Sequence, residues 1–153
     1  MRLVVQRVRR AAVRLEGEVV ASIGPGLVIL VGVRGTDTPR EARWLAEKVA
    51  HLRIFSDEEG RLNRSVLDVR GEVLSVSQFT LYGEVSRGRR PSFVEAARGP
   101  LAEAIYDAFN EALRALGVPV AAGRFGAVML VEIHNDGPVT ILLEREHAQE
   151  TAR

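Results

Sequence analysis

The sequence predicts a layered α/β domain: a strand pair, two strand-helix units, then two or three closing strands in mixed sheets. Three observations carry this. Leu27 to Val33 is an unbroken apolar run bounded by glycines, too short for a capped helix and suited to a strand buried on both faces. Thr38-Pro39 and Gly99-Pro100 each set a proline at a helix start ahead of apolar residues at helical spacing. Apolar residues alternate near both ends of the chain.

In order, Leu3 to Val8 reads as a strand, and Val13 to Leu15 pairs with Val19, Ala21 and Ile23 around Glu16-Gly17 as a hairpin. Gly24-Pro25-Gly26 breaks the hairpin before the Leu27 run. Thr38-Pro39-Arg40-Glu41 has the hydroxyl, proline and carboxylate of a capped start. Ala42, Leu45, Ala46 and Val49 give that helix one apolar face ending near His51 or Leu52. Asp57 to Gly60 is a turn and Glu72 to Ser77 a strand. A second helix from Gly99-Pro100 is expected to bury Leu101, Ile105, Ala108, Phe109, Ala112, Leu113 and Leu116 and to stop at Gly117 and Pro119. Ala127 to Ile133 and Val139 to Leu143 read as two further strands, separated by Asn135-Asp136-Gly137-Pro138. Residues 145–153 read as a frayed polar tail. No repeat or linker divides the chain, so residues 1–153 are expected to form one domain.

The 153 residues are 46% apolar and 27% charged, which excludes disorder, collagen and coiled coil. Twenty-one basic residues against 20 acidic ones give a net charge of +1, so contact with nucleic acid has to be local. Cysteine is absent, which removes disulfides, thiolate ligands and thiol nucleophiles. Charge interrupts the first ten residues too early for a signal peptide, and no apolar run approaches the roughly 18 residues of a membrane span. A cytoplasmic protein is expected, with neither membrane nor DNA as a partner.

Common catalytic signatures do not fit. His51, His134 and His147 are too far apart for a short metal-binding pattern, so no metal or cofactor is expected. There is no Gly-x-Ser-x-Gly elbow. Three segments remain. Ser77-Gln78-Phe79-Thr80-Leu81-Tyr82-Gly83 ends an apolar strand in hydroxyls, an amide and aromatics; it reads either as an edge strand entering a turn or as a ligand site at a strand end. Asn135-Asp136-Gly137-Pro138-Val139-Thr140 has the composition of an ordinary turn, unless the bond before Pro138 is cis. Arg87-Gly88-Arg89-Arg90 is either a solvated basic loop or a contact for RNA phosphates.

Gln6-Arg7-Val8, Arg53-Ile54-Phe55-Ser56-Asp57, Ser77-Gln78-Phe79-Thr80, Arg90-Pro91-Ser92-Phe93, Gly123-Arg124-Phe125-Gly126-Ala127 with Met129, and Asn135 to Thr140 occur in that order. Together they resemble the D-aminoacyl-tRNA deacylase family, also called D-tyrosyl-tRNA deacylase, over nearly the whole chain. The resemblance implies a ββ(βα)2β3 fold and an enzyme that cleaves D-amino acids, and mischarged glycine, from the terminal adenosine of tRNA. It implies a homodimer in which Gly137-Pro138 forms a cis peptide that enters the partner's active site and excludes L-amino acids. Arg7 would hold the Gly-Pro carbonyls, Phe125 and Met129 would enclose the adenine, and Ser77, Gln78, Phe79 and Thr80 would line the catalytic site, with amides near Phe79 and Thr80 facing the oxyanion. Arg87, Arg89 and Arg90 are the candidate tRNA contacts. Two chemistries follow: attack by the Thr80 hydroxyl, or water assisted by the 2′-hydroxyl of the terminal ribose. The second is preferred because no base is apparent beside Thr80. The competing classes are a non-catalytic tRNA 3′-end binding module and a general serine esterase using Ser77.

Overall fold

The computed structural model describes residues 1–147. In chain order it comprises β1 (Arg2–Leu15), β2 (Glu18–Ile23), β3 (Gly26–Gly32), α1 (Pro39–His51), β4 (Phe55–Ser56), β5 (Leu62–Arg64), β6 (Glu72–Ser77), a 3-10 turn (Phe79–Tyr82), α2 (Gly99–Ala115), β7 (Val120–Ala122) and β8 (Leu130–Glu144). Six strands form one mixed sheet, ordered β2-β1-β3-β6-β7 with β8 also on β1. β1 is antiparallel to β2, β3 and β8, whereas β3, β6 and β7 run parallel. β4 and β5 form a separate small hairpin.

β3 explains why the sheet has to be covered on both sides. Leu27, Ile29 and Val31 pack with α1 and α2, while Val28 joins Val8, Ala11, Val13, Ile23, Leu74 and Val76 in a second cluster. Both faces of the strand are therefore dry, as its unbroken apolar run requires. The β3–β6 approach depends on Gly26: a Cβ there would lie 1.8 Å from the Glu72 carbonyl oxygen.

Two of the expected breaks are not strand ends. β1 continues through Arg7-Val8-Arg9-Arg10, and its buried positions change from Leu3 and Val5 to Val8 and then to Ala11 and Val13. The register against β8 shifts between Gln6 and Val8 and again between Val8 and Arg10, so bulges absorb the change of phase. Likewise, the two C-terminal strands are one: β8 runs from Leu130 to Glu144, although Ala127 to Met129 lie outside it. Short strands β4, β5 and β7 carry too few residues to show a period of their own.

Helix α1 forms as its sequence requires. Thr38 caps it, Glu41 completes the capping box, and Ala42, Leu45, Ala46 and Val49 are buried. In α2 the expected face is rotated: Leu101 is 48% exposed, whereas Tyr106 and Asn110 are buried beside Ile105, Phe109 and Leu113. The tail expected from residue 145 starts later. Arg145 exchanges backbone hydrogen bonds with Met1 and lies over the Trp44 ring at 4.6 Å, and Glu146 pairs with Arg34 at 3.0 Å. The remainder of that segment, 148–153, lies outside the described residues.

Burial opposes ionisation of Glu41, but hydrogen bonds from the Thr38 hydroxyl and amide, together with His147, outweigh it and hold the carboxyl down to about 2. The ionised form therefore stabilises the fold above the ordinary value of 4.5, and that stabilisation is lost as pH falls through about 2. The stability gap between the native protein and Glu41→Gln, read by urea denaturation, is expected to be full above pH 4.5 and to close as pH approaches 2. Thr38→Ala should cost about 1 kcal/mol at neutral pH.

Candidate active site

β6 lies between β3 and β7, but its pairing with β7 stops at Ser75, so Ser77 is flanked by β3 alone. The chain then folds into the 3-10 turn. The Gln78 amide donates to the Val31 carbonyl at 2.8 Å, and the first turn bond runs from the Leu81 N–H to the Gln78 carbonyl at 3.2 Å. The N–H groups of Phe79 and Thr80 precede that bond and take no part in it, the usual condition at a helix start.

This corner forms one wall of a cleft of about 700 Å³. Ser77, Gln78 and Phe79 line it together with Phe125 and Met129, so residues far apart in the sequence meet here. Phe79 meets Phe93 edge to face, with ring centroids 5.1 Å apart. Thr80 is adjacent but does not line the cleft; its hydroxyl accepts a hydrogen bond from the Gln78 side-chain amide.

The opposite wall is built through a buried tyrosine. Tyr106 donates to the Ser75 carbonyl at 2.9 Å and packs its ring 6.1 Å from that of Phe125. The Gly123 amide donates to the same carbonyl at 3.1 Å. Gly123 also leaves room for Met129, because a Cβ there would lie 2.8 Å from the methionine sulfur. Burial raises the Tyr106 hydroxyl pKa, so it stays protonated and donating.

Gly137, Pro138 and Arg7 form a second centre. Gly137 and Pro138 are exposed, joined by a cis peptide bond, and absent from the lining of their own chain's cleft. In the β1–β8 ladder Gln6 faces Thr140 and Val8 faces Asn135, which leaves residues 136–139 looping out opposite Arg7. Arg7 Nε donates to the Asp136 carbonyl and Nη1 to the Ile54 carbonyl, both at 2.9 Å. The carbonyl it holds is thus the one preceding Gly137, next to the Gly137-Pro138 peptide that Arg7 is expected to hold in place. Asn135 closes the loop base, accepting from the Val139 amide at 2.8 Å and donating to the Thr140 hydroxyl at 3.1 Å.

Arg87, Arg89 and Arg90 are exposed on a loop whose base is the Glu84–Ser92 bridge, and Phe93, at its foot, lines the cleft. His51 lies 3.5 Å from Glu47, His147 lies 3.2 Å from Glu41, and His134 is exposed on β8. Several lining residues fall outside the sequence reading of the site, Arg98 and Ala102 among them. Arg98 had left a signal: it stands immediately before Gly99-Pro100, where a helix start commonly carries Ser, Thr, Asp or Asn.

Residues 4–144 match the family model described as D-Tyr-tRNA(Tyr) deacylase. The chain belongs to that family. A D-aminoacyl-tRNA deacylase of Geobacillus sp. (strain WCH70) is 60% identical over 94% of this chain and 95% of its own length. One from Shouchella clausii (strain KSM-K16) is 56% identical over 95% of this chain and all of its own. Among solved structures, a c-Myc DNA unwinding element binding protein superposes with a TM-score of 0.91 at 44% identity, covering 96% of this chain and 100% of that one. A probable eukaryotic D-amino acid tRNA deacylase shares the fold with a TM-score of 0.81 at 18% identity, covering 93% of this chain and 97% of its own. The protein is a hydrolase of D-aminoacyl-tRNA.

Arg7→Ala removes two charge-assisted hydrogen bonds from the base of the 136–139 loop. We expect a loss of about 2 kcal/mol in urea denaturation and faster hydrogen exchange at the Val139 amide. Unchanged exchange there would show that Asn135 alone fixes the loop.

Proposed function

We propose that the cleft seats the aminoacyl-adenosine end of tRNA, with Phe125 and Met129 enclosing the adenine and the ester at Ser77, Gln78, Phe79 and Thr80. The observation that carries this is the meeting of an amide-rich strand end with an apolar wall in one cleft. Water adds to the ester carbonyl carbon, the oxyanion faces the Phe79 and Thr80 amides, and the carbonyl carbon–O3′ bond then breaks as O3′ takes a proton. Glycyl esters fit the same scheme, since they carry no side chain for a steric filter to reject.

The nucleophile is water assisted by the ribose 2′-hydroxyl. Among the described residues lining the cleft there is no Asp, Glu, His or Lys to act as a base, and the Thr80 hydroxyl is engaged by Gln78. The same lining speaks against a serine esterase built on Ser77. Arg87, Arg89 and Arg90 contact tRNA phosphates near the cleft mouth. A non-catalytic tRNA-end module sits poorly with a family of deacylases. DNA, which the name of the 44%-identical solved structure mentions, is a weaker partner for a chain of net charge +1 than a single RNA end entering one cleft.

The working unit is a homodimer in the cytoplasm, where aminoacyl-tRNA is found. Gly137 and Pro138 are exposed and outside their own cleft, which supports a role in the partner's cleft as the wall that excludes L side chains. Backbone atoms beside the α-carbon sort by handedness without reading the side chain. The outer edge of β8, which pairs only β1 among the described residues, carries Leu142 at 75% exposure near the end of the strand, a natural surface for a second copy.

D-Tyr-tRNA ending in 2′-deoxyadenosine should be hydrolysed at least about 100-fold more slowly than the ribose form, while Thr80→Ala keeps appreciable activity. Normal turnover of the deoxy substrate by the native protein, combined with a dead alanine variant, would assign attack to Thr80. Light scattering should return twice the 16.8 kDa chain mass. Leu142→Arg is expected to yield monomer and to lose discrimination against L-Tyr-tRNA together with the dimer.

A further inference from the structure

The scheme above leaves the charged side chain of the cleft wall without a task. Among the described residues of the cleft wall, Arg98 alone carries a formal charge. Its backbone is extended at φ −131 and ψ 158, where it precedes α2, and its side chain is exposed. The nearby Glu95 carboxylate is engaged by Arg34 at 3.0 Å. No side chain caps the first turn of α2, whose positive end therefore adds to the field of the guanidinium.

A cation lining an otherwise uncharged cleft has a preferred ligand. If adenine lies between Phe125 and Met129 and the ester faces Ser77, the first negative charge that the substrate brings is the phosphate on the 5′ side of the terminal ribose. We propose that Arg98 binds this phosphate and so fixes the depth at which the adenosine sits. The inference rests on the adenosine seat proposed above. A guanidinium pairs with two phosphate oxygens at once, which gives orientation as well as affinity.

The test uses the whole protein, D-Tyr-tRNA hydrolysis as the readout, and two inhibitors: adenosine and adenosine 5′-monophosphate. The native protein is expected to bind the monophosphate about tenfold more tightly, in line with one charge-assisted pair. That preference should shrink as salt is added. In Arg98→Ala the ratio of the two inhibition constants should fall to about one, with Arg98→Lys between. A general loss of folding would weaken both inhibitors alike and preserve the ratio. An unchanged ratio in Arg98→Ala overturns the proposal, and so does a changed preference for D-Asp-tRNA over D-Tyr-tRNA with the ratio intact, since the arginine would then read the amino acid. If adenosine inhibits but the monophosphate is no better, the seat stands and Arg98 fails. If neither inhibits, both fall.

Discussion

The pairing of β1 with β8 runs nearly the length of both strands but shifts register on either side of Val8, and much of the molecule's design follows from the first of these shifts. Between Gln6 opposite Thr140 and Val8 opposite Asn135, β1 passes one residue while β8 passes four. The surplus backbone of residues 136–139 has to leave the ladder, and its polar groups then need partners other than the neighbouring strand. Arg7 is the β1 residue left opposite the gap, and its guanidinium supplies one donor to the Asp136 carbonyl while another ties the same side chain to Ile54. Asn135 satisfies the loop from its other end. An exposed Gly-Pro pair is thereby held at a fixed place on an otherwise regular strand, which a free loop of the same composition would not achieve.

The cleft is organised by a comparable economy of donors and acceptors. The Ser75 carbonyl, on an interior strand, accepts from both Tyr106 and Gly123. Through these two bonds β6 is fastened to α2 and to the start of the segment that carries Phe125 and Met129. Ser77, which opens the corner of the first wall, follows two positions later on β6, so the two walls share a common anchor. Packing of Tyr106, on the buried face of α2, against Phe125 then translates the position of that helix into the shape of the cleft.

What the sequence disclosed depended on whether the signal was local. The start of α1 was legible because a capping box is a contact between residues three apart. β3 was legible because burial on both faces leaves an unbroken apolar run. The long strands β1 and β8 each appeared as two pieces, since a bulge shifts the phase of alternation and imitates an end. Leu101 was assigned to the core because helical spacing permits it, but the neighbours that decide which face is buried belong to β6 and α1; Tyr106 took the inward position. The resemblance of six short motifs marked Ser77 to Thr80, Phe125 and Met129, of which all but Thr80 line the cleft, and it tied Arg7 to the Gly137-Pro138 segment beside Asp136, but it gave no hint that Arg98 lines the cleft.

The composition of that wall bears on how hydrolysis and selectivity divide between protein and substrate. A side-chain base would have to be desolvated beside apolar Phe79, Phe125 and Met129, and a buried carboxylate or imidazole there would shift toward its neutral form. Backbone N–H groups carry no such penalty; they are fixed dipoles whose direction is set by the end of β6. In the proposed scheme the protein therefore contributes position and oriented donors, while the nucleophile's activation comes from the ribose, which arrives already placed next to its own ester. Selectivity is divided in the same way. Under the same proposal main-chain atoms would crowd one hand of the α-carbon, so the side chain of the accepted hand would need no recognition and one cleft could serve many amino acids.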